Sequence, residues 1–198
     1  MDKKIKVILF DLGRVLMHID FDAFPNGLGL LTEEQRAPYQ MPTAKLWRLY
    51  ETGKMSTDEF LESVFHIFNR KYSKAQILEA WNGIIVRDNE DIIQFVQEVQ
   101  KKYLTAILSN TSPSHWEKVL QISPLVRSIP HHFTSFSIGA MKPDHVVYDL
   151  VASTLKVLPS EILFIDDLQV NVAGAVEAGM VGIVYKDIDS LPDYILHT

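Results

Sequence analysis

The sequence predicts an α/β fold, in which helices cover both faces of a parallel sheet and a helical segment is inserted after the first strand. Two observations lead to this prediction. Short apolar runs rich in β-branched residues alternate with helical patterns, as in chains that build parallel sheets. In addition, the stretch from Asp11 to Asn89 is far longer than the connection in a strand–helix–strand unit of about 30 residues, and its pattern is helical throughout.

Four short apolar runs are predicted to be buried strands. They cover residues 5–10, 104–108, 162–165 and 180–185. The first run, IKVILF, ends at Asp11 and fits a strand that is buried on both faces. Because open α/β sheets bind ligands at the carboxyl ends of their strands, the polar residues that follow these runs are candidates for a functional site.

Helical patterns separate these strands. In residues 89–101 the apolar side chains share one face, with acidic residues in the first turn and lysines at the end, as expected for an amphipathic helix. Residues 144–155 repeat this spacing. The small apolar residues 170–178 stop at Gly179, which is typical of a helix C-terminus.

The long stretch after Asp11 is predicted to be a cap over the strand ends. Thr32 and Gln35 have the spacing of a capping box, and residues 57–68 and 73–81 show helical periodicity. The predicted division is therefore a helical cap of residues 17–86 and a core formed by residues 1–16 and 87–198.

Composition narrows the class of protein. Of 198 residues 47% are apolar, the net charge is -6 and there is no cysteine. The negative charge disfavours nucleic acid and anionic membranes as partners, and the missing cysteines exclude disulfides and thiolate chemistry. The apolar run near the N-terminus is too short for a signal peptide. We therefore expect a cytoplasmic protein, with the monomer as the favoured state.

Two candidate functional segments end predicted strands. Asp11 precedes Leu-Gly, where an aspartate most often caps a turn, but a carboxylate in that place can also attack phosphorus and form an aspartyl phosphate. The segment Ser109-Asn110-Thr111 is either an ordinary turn or a group of hydroxyl and backbone N–H donors for phosphate oxygens.

Two further segments carry charge. Lys142 is either a solvated lysine or a cation that neutralises a phosphate and Asp11. Asp166 and Asp167 end the run 162–165, where neighbouring carboxylates repel each other unless a cation takes up their charge. Magnesium needs few protein carboxylates. Together and in this order, the four segments favour phosphoryl transfer with Mg²⁺.

The whole chain resembles the haloacid dehalogenase (HAD) superfamily. Its four ordered motifs are matched by FDLGRVL, LSNT, MKPD and IDDLQVN, and the helix AGAVEAGM follows. The resemblance implies a Rossmann-like three-layer core with a small all-helical cap inserted after the first strand. The segments HIDFDAF, YETGKMSTDEF and VYKDIDSLPDYI are similar to bacterial proteins of the glucose-1-phosphate phosphatase type.

The resemblance also implies roles for particular residues. Asp11 is the expected nucleophile, and Asn171 is expected to orient the acidic loop. The expected phosphate-binding residues are Ser109, Asn110 and Lys142. The expected Mg²⁺ ligands are Asp11, the carbonyl of Gly13, and Asp167, with Asp166 near the ion or bound through water.

Gly13 departs from the family pattern. Most phosphatases of the superfamily have an aspartate here, which protonates the leaving group and later activates water. Such a general acid–base contributes about 10²–10⁴ in rate. The proton can instead come from water, from the substrate, or from His18 or Asp20, although a structural role is the simpler interpretation of His18.

Three functions remain open at this stage. The first is a Mg²⁺-dependent phosphatase for a small phosphorylated metabolite, for which a sugar phosphate such as glucose 1-phosphate is a candidate. The second is a haloacid dehalogenase, which needs no paired acidic motif. The third is a catalytically weak protein that binds a phosphorylated ligand. The cap is expected to select the substrate, with candidate groups at Trp47, Arg48, Tyr50, Lys54, His66 and Arg70.

Overall fold

The computed structural model describes residues 5–192 and 195. Its centre is a five-stranded parallel sheet with the strand order β5-β4-β1-β6-β7. These strands are β1 (Val7–Phe10), β4 (Leu104–Ser109), β5 (His131–Thr134), β6 (Ile162–Asp166) and β7 (Val181–Val184). The predicted α/β fold class is confirmed.

Alternating side chains of β1 build a core on each face of the sheet. Ile8 and Phe10 pack in one hydrophobic cluster, and Val7 and Leu9 pack in the other, as the two-residue period of a strand requires. The first cluster includes residues of α5 (Glu90–Val99), α6 (Pro113–Ile122) and α7 (Pro124–Ser128). The second includes residues of α8 (Ser135–Ile138), α9 (His145–Leu155) and α10 (Gln169–Glu177). The result is a three-layer core.

Residues between β1 and α5 form a second group of elements. Two short antiparallel strands, β2 (Met17–Ile19) and β3 (Ile85–Asp88), flank four helices. The helices are α1 (Ala23–Gly27), α2 (Glu33–Glu51), α3 (Thr57–Ile67) and α4 (Lys74–Asn82). They enclose a hydrophobic cluster of their own, with Trp81 and Tyr50 among its largest fully buried side chains. We call these helices the cap; the division at residues 16/17 and 86/87 stays a prediction.

Capping explains where several cap helices begin. Thr32, Ser56 and Ser73 each accept a hydrogen bond from the backbone three residues later, and a glutamine or glutamate there bonds back. These capping boxes satisfy backbone N–H groups that a helix leaves unpaired. Helix α2 continues through Pro38 and Pro42, so its existence follows from packing rather than from local propensity.

The cap is hydrogen-bonded to the core. The Tyr50 hydroxyl accepts a hydrogen bond from the Ser114 backbone N–H at 3.2 Å, and the Trp81 indole donates to the Ser112 hydroxyl at 3.2 Å. The loop after α2 lies so close to the core that a Cβ on Gly53 would stand 2.3 Å from the carbonyl oxygen of Phe136. These contacts fix the end of α2 against the core.

The strand β5 was not predicted from the sequence. It lies at the edge of the sheet and reads His-His-Phe-Thr, without the apolar run that marks the buried strands. An edge strand is exposed on one side and needs less apolar surface.

Among residues 5–192 and 195, no helix has the length and apolar character needed to span a bilayer.

Candidate active site

The polar segments identified in the sequence meet at the carboxyl ends of the central strands of the sheet. Asp11 directly follows β1, Ser109 ends β4 and Asp166 ends β6. These three strands are direct neighbours in the sheet, so their carboxyl ends bring the three side chains together. Each of these residues is buried.

Lys142 connects two of the carboxylates. Its Nζ lies 2.6 Å from Oδ1 of Asp11 and 2.7 Å from Oδ2 of Asp166, and its side chain is almost completely buried. Burial opposes its charge, but the two carboxylates prevail and raise the pKa of Lys142 above its usual value. The lysine is therefore a charged member of the site, not the solvated side chain of the simpler interpretation.

Burial also changes the acidity of Asp11. It raises the pKa of Asp11 to about 7, and the Asp166 charge adds to the rise, while Lys142 opposes it. A bound divalent cation would lower this pKa, because it stabilises the ionised carboxylate.

Asp166 is held rigidly. Its carboxylate accepts hydrogen bonds from the Asn171 side-chain amide at 3.0 and 3.1 Å and from the Leu168 N–H at 2.8 Å. The Tyr148 hydroxyl in turn donates to the carbonyl of Asn171 at 2.7 Å. Asn171 thus lies where an orienting residue for the acidic loop is expected.

Asn110 makes a contact that the sequence did not indicate. Its side-chain amide donates to the Lys142 carbonyl at 3.0 Å, and its carbonyl oxygen accepts from the Lys142 N–H at 2.9 Å. This reciprocal pair ties the loop after β4 to the loop that carries Lys142. The side chain of Asn110 therefore positions the lysine, and a direct role in phosphate binding would fall to its backbone.

Asp11, Asp166 and Asp167 form a group of carboxylates that can hold a metal ion. Single oxygens of the three lie within 4.8 Å of one another. Nη1 of Arg14 lies 3.6 Å from Oδ2 of Asp167. When all these side chains are ionised, the three carboxylates exceed the two cations, Lys142 and Arg14, by one negative charge. Oxygen donors with excess negative charge suit a hard divalent cation. The donor set therefore fits magnesium.

A cavity of about 340 Å³ opens onto this cluster. Its floor includes Asp11, Gly13, Ser109, Lys142 and Asp167, while Asn110 and Asn171 also reach it. The opposite wall comes from the cap and includes Trp47, Glu51 and Trp81. This cavity can receive a small molecule whose reactive group meets Asp11 and whose remainder meets the cap.

The cap residues proposed from the sequence divide into two groups. Trp47 packs against the cap cluster and also lines the cavity, and Tyr50 is fully buried beside it. The other four candidates are exposed and do not line the cavity: Arg48, Lys54, His66 and Arg70.

Sequence reasoning missed several cavity residues. Glu51, Trp81 and His115 line it, and Arg14 stands beside Asp167. The spacing of Glu51 four residues after Trp47 was a signal, because such residues share a helix face.

Because Gly13 has no acidic side chain, His18 and Asp20 were the candidates to protonate the leaving group in its place. Neither His18 nor Asp20 lines the cavity. His18 lies on β2, 3.7 Å from Glu90, and Asp20 accepts a hydrogen bond from the N–H of Asp22. The structure thus gives no support to either residue as the substitute acid.

Known proteins resemble this chain over nearly its whole length. A D-ribitol-5-phosphate phosphatase of Bacteroides thetaiotaomicron is 29% identical over 184 residues, covering 88% of this chain and 89% of the relative. A crystal structure of a HAD family enzyme from the same organism, in complex with magnesium and inorganic phosphate, superposes with a TM-score of 0.82 at 25% identity. That match covers 93% of this chain and 96% of the other.

A more distant relative represents a different reaction. The (S)-2-haloacid dehalogenase 4A of Burkholderia cepacia is 23% identical over 176 residues, covering 87% of this chain and 75% of the relative. The family model described as haloacid dehalogenase-like hydrolase matches residues 5–179. With that match and the strand-end carboxylates, the chain belongs to the haloacid dehalogenase-like hydrolases.

Proposed function

We propose that this hydrolase is a Mg²⁺-dependent phosphatase that acts on a small phosphorylated metabolite through an aspartyl-phosphate intermediate. One observation carries the proposal. A buried lysine, Lys142, bridges Asp11 and Asp166, and Asp167 completes a group of oxygen donors at the same strand ends. This arrangement combines a nucleophile, a phosphate-binding cation and a metal-binding cluster.

In the proposed reaction a carboxylate oxygen of Asp11 attacks phosphorus. The bond between phosphorus and the leaving oxygen breaks, and the phosphoryl group moves to Asp11. Water then attacks phosphorus and releases inorganic phosphate, which regenerates the carboxylate. Lys142 and the Ser109 hydroxyl hold the transferred oxygens, together with the backbone of Asn110, since positioned donors stabilise the charge that develops on them.

Magnesium would neutralise charge between the phosphate and the acids. The ligands we propose are Asp11, the Gly13 carbonyl and Asp167, with Asp166 near the ion or bound through water. Asn171 keeps Asp166 in place through its two hydrogen bonds. Because Gly13 supplies no general acid, the leaving oxygen must take its proton from water or from the substrate.

The similar proteins support a phosphomonoester as the substrate. One relative is a D-ribitol-5-phosphate phosphatase, and the similar crystal structure holds magnesium and inorganic phosphate. We therefore propose a sugar phosphate or sugar-alcohol phosphate, with glucose 1-phosphate retained as one candidate. The cytoplasmic location and the monomeric state remain predictions from the sequence.

The proposal is tested by measuring phosphate release from an aryl phosphate with Mg²⁺ and with excess chelator, beside halide release from 2-chloropropionate. We expect phosphate release only with the metal and no halide. Halide release without metal would establish the dehalogenase alternative. Tight phosphate binding without turnover would instead establish the binding-protein alternative.

A further inference from the structure

The cap wall of the cavity differs chemically from its floor. The cap contributes the indoles of Trp47 and Trp81 and the carboxylate of Glu51, and the segments that flank the cap helices add apolar side chains. Among the described residues that line the cavity, Lys142 lies on the floor with the acidic cluster, and Arg14 lies between Asp167 and the ring of Phe21. The part of the substrate that reaches Trp47, Trp81 and Glu51 therefore meets aromatic surface and one acid.

His115 does not supply the missing positive charge. Its ring stacks on Trp81 with centroids 4.5 Å apart, and its Nε2 lies 2.9 Å from the carbonyl oxygen of Trp81. Burial lowers the pKa of His115 to about 4, so the ring is neutral. A neutral ring donates this hydrogen bond to the carbonyl and brings no positive charge to the cap wall.

Glu51 is a polar group in this wall that has no partner among the residues the structure describes. Within residues 5–192 and 195, the Glu51 carboxylate makes no hydrogen bond and no ion pair, although Glu51 is partly buried in the cavity wall. An unpaired, partly buried carboxylate is costly, so a ligand that donates hydrogen bonds to Glu51 is favoured.

The position of Glu51 is fixed by the surrounding structure. It is the last residue of α2, four positions after Trp47, so the two side chains share a helix face. Tyr50 beside it bonds the core at Ser114, and the close approach of Gly53 to Phe136 holds the following loop. Gly53 also has φ of +66°, a conformation that favours glycine.

We infer that Glu51, with Trp47 beside it, selects an uncharged, polyhydroxylated leaving group. This inference rests on the proposed phosphatase function. Hydroxyl groups donate hydrogen bonds to the Glu51 carboxylate. The apolar C–H faces of a sugar or sugar alcohol pack on the indole rings. A leaving group whose carboxylate lies beside the ionised Glu51 is disfavoured by repulsion between the two negative charges.

The test compares three phosphate esters: ribitol 5-phosphate, with neutral hydroxyls; 4-nitrophenyl phosphate, without hydroxyls; and 2-phosphoglycolate, with a carboxylate. Assayed above pH 7, where Glu51 is ionised, the wild-type enzyme is expected to prefer ribitol 5-phosphate over 2-phosphoglycolate. Glu51→Ala is expected to lower kcat/KM for ribitol 5-phosphate by about 10- to 100-fold, the effect of losing hydrogen bonds to a charged acceptor. Its kcat/KM for 4-nitrophenyl phosphate should stay within about twofold of wild type.

Two further variants guard against a general structural effect. Glu51→Gln keeps the size and one acceptor oxygen, so it should retain part of the ribitol 5-phosphate activity that Glu51→Ala loses. Glu79→Gln changes an exposed glutamate of the cap and should leave all three activities unchanged. Melting temperatures verify that each variant is folded.

The outcomes separate the two proposals. A wild-type enzyme that releases no phosphate from 4-nitrophenyl phosphate with Mg²⁺ refutes the phosphatase function, and this inference falls with it. An active enzyme whose Glu51→Ala variant loses both activities equally, or neither, refutes the role of Glu51 alone. Preference of the wild type for 2-phosphoglycolate refutes it as well.

Discussion

The floor and the cap wall of the cavity differ in how completely their polar groups are paired. On the floor, Lys142 bridges two carboxylates, and Asp166 accepts three further hydrogen bonds. In the cap wall, the Glu51 carboxylate has no partner among residues 5–192 and 195. The polar groups of the floor are paired by the protein itself, whereas the wall contains a carboxylate that a ligand can satisfy.

We propose that this difference separates two tasks within one cavity. Preorganised charges stabilise a transition state because they do not have to rearrange during the reaction. Unpaired groups at a distance from the reacting atoms discriminate between substrates, since a poor ligand leaves them unpaired. We therefore expect substitutions on the floor to affect every substrate, and substitutions in the wall to affect particular substrates.

The largest effect is expected for Asp11→Asn. The amide has nearly the same shape but is no nucleophile, so turnover should fall by about 10⁴-fold or more on all phosphate esters. Phosphate release under saturating Mg²⁺ is the measurement. Activity within tenfold of wild type, in a preparation free of wild-type enzyme, would mean that another group attacks phosphorus.

Lys142→Ala should follow, with kcat/KM lowered about 10²–10³-fold for aryl and alkyl phosphates alike. The structure also predicts an effect of this substitution on folding stability. Without the lysine, Asp11 and Asp166 remain buried without their cation, and breaking a buried ion pair costs about 3–5 kcal/mol. Chemical denaturation without metal should show this loss. Lys101→Ala, which removes an exposed lysine, is the control for both measurements.

Gly13→Asp is expected to produce a gain on poor leaving groups. The φ of Gly13 is outside the left-handed region, and an added Cβ would lie 3.1 Å from the δ-methyl of Ile19, so a small shift of that side chain makes room. A restored general acid should raise rates on alkyl phosphates by up to about 10²-fold. Rates across a series of leaving groups should then depend less on leaving-group acidity. A folded variant with the original steep dependence would show that the proton has another source.

The smallest effect is expected for Glu51→Gln, and it is an effect on folding stability that depends on pH. Burial raises the pKa of Glu51 from 4.5 to about 7, so the native protein holds this proton more tightly than the unfolded chain does. The contribution of Glu51 to the free energy of unfolding is therefore fully present below pH 4.5 and is lost as the pH rises to about 7. Glu51→Gln avoids that loss. Above pH 7 the Tm of this variant should exceed that of wild type, by about 2–4 °C for each kcal/mol of unfolding free energy that the wild type loses. Below pH 4.5 the two Tm values should match. An equal difference at both pH values would contradict this account of the charge.

The sequence predicted the parts of the molecule that depend on local patterns. Apolar runs identified four strands of the sheet, and the capping box of Thr32 and Gln35 identified the start of one cap helix, because both signals lie within a few residues. The edge strand His131–Thr134 carries no such run. The long helix Glu33–Glu51 contains two prolines, so local propensity indicated only its first turn.

The floor of the site was also predictable, because carboxyl ends of neighbouring parallel strands must meet. The contacts of Asn110 with the backbone of Lys142 join residues 32 positions apart, and no local pattern reports them. Glu51 resembles any glutamate at a helix end. Its place in the cavity depends on how the cap packs against the core, which a single sequence does not reveal.

The central claim is that the phosphoryl group is transferred to Asp11. Chemical trapping of the aspartyl-phosphate intermediate tests this claim most directly. The enzyme is mixed with Mg²⁺ and an aryl phosphate, quenched with acid during turnover, and treated with borohydride, which reduces an acyl phosphate to an alcohol. We predict that peptide mass spectrometry finds homoserine at position 11, only when Mg²⁺ and substrate are both present. Rapid turnover with an unmodified Asp11, or with phosphate on a different residue, would contradict the account.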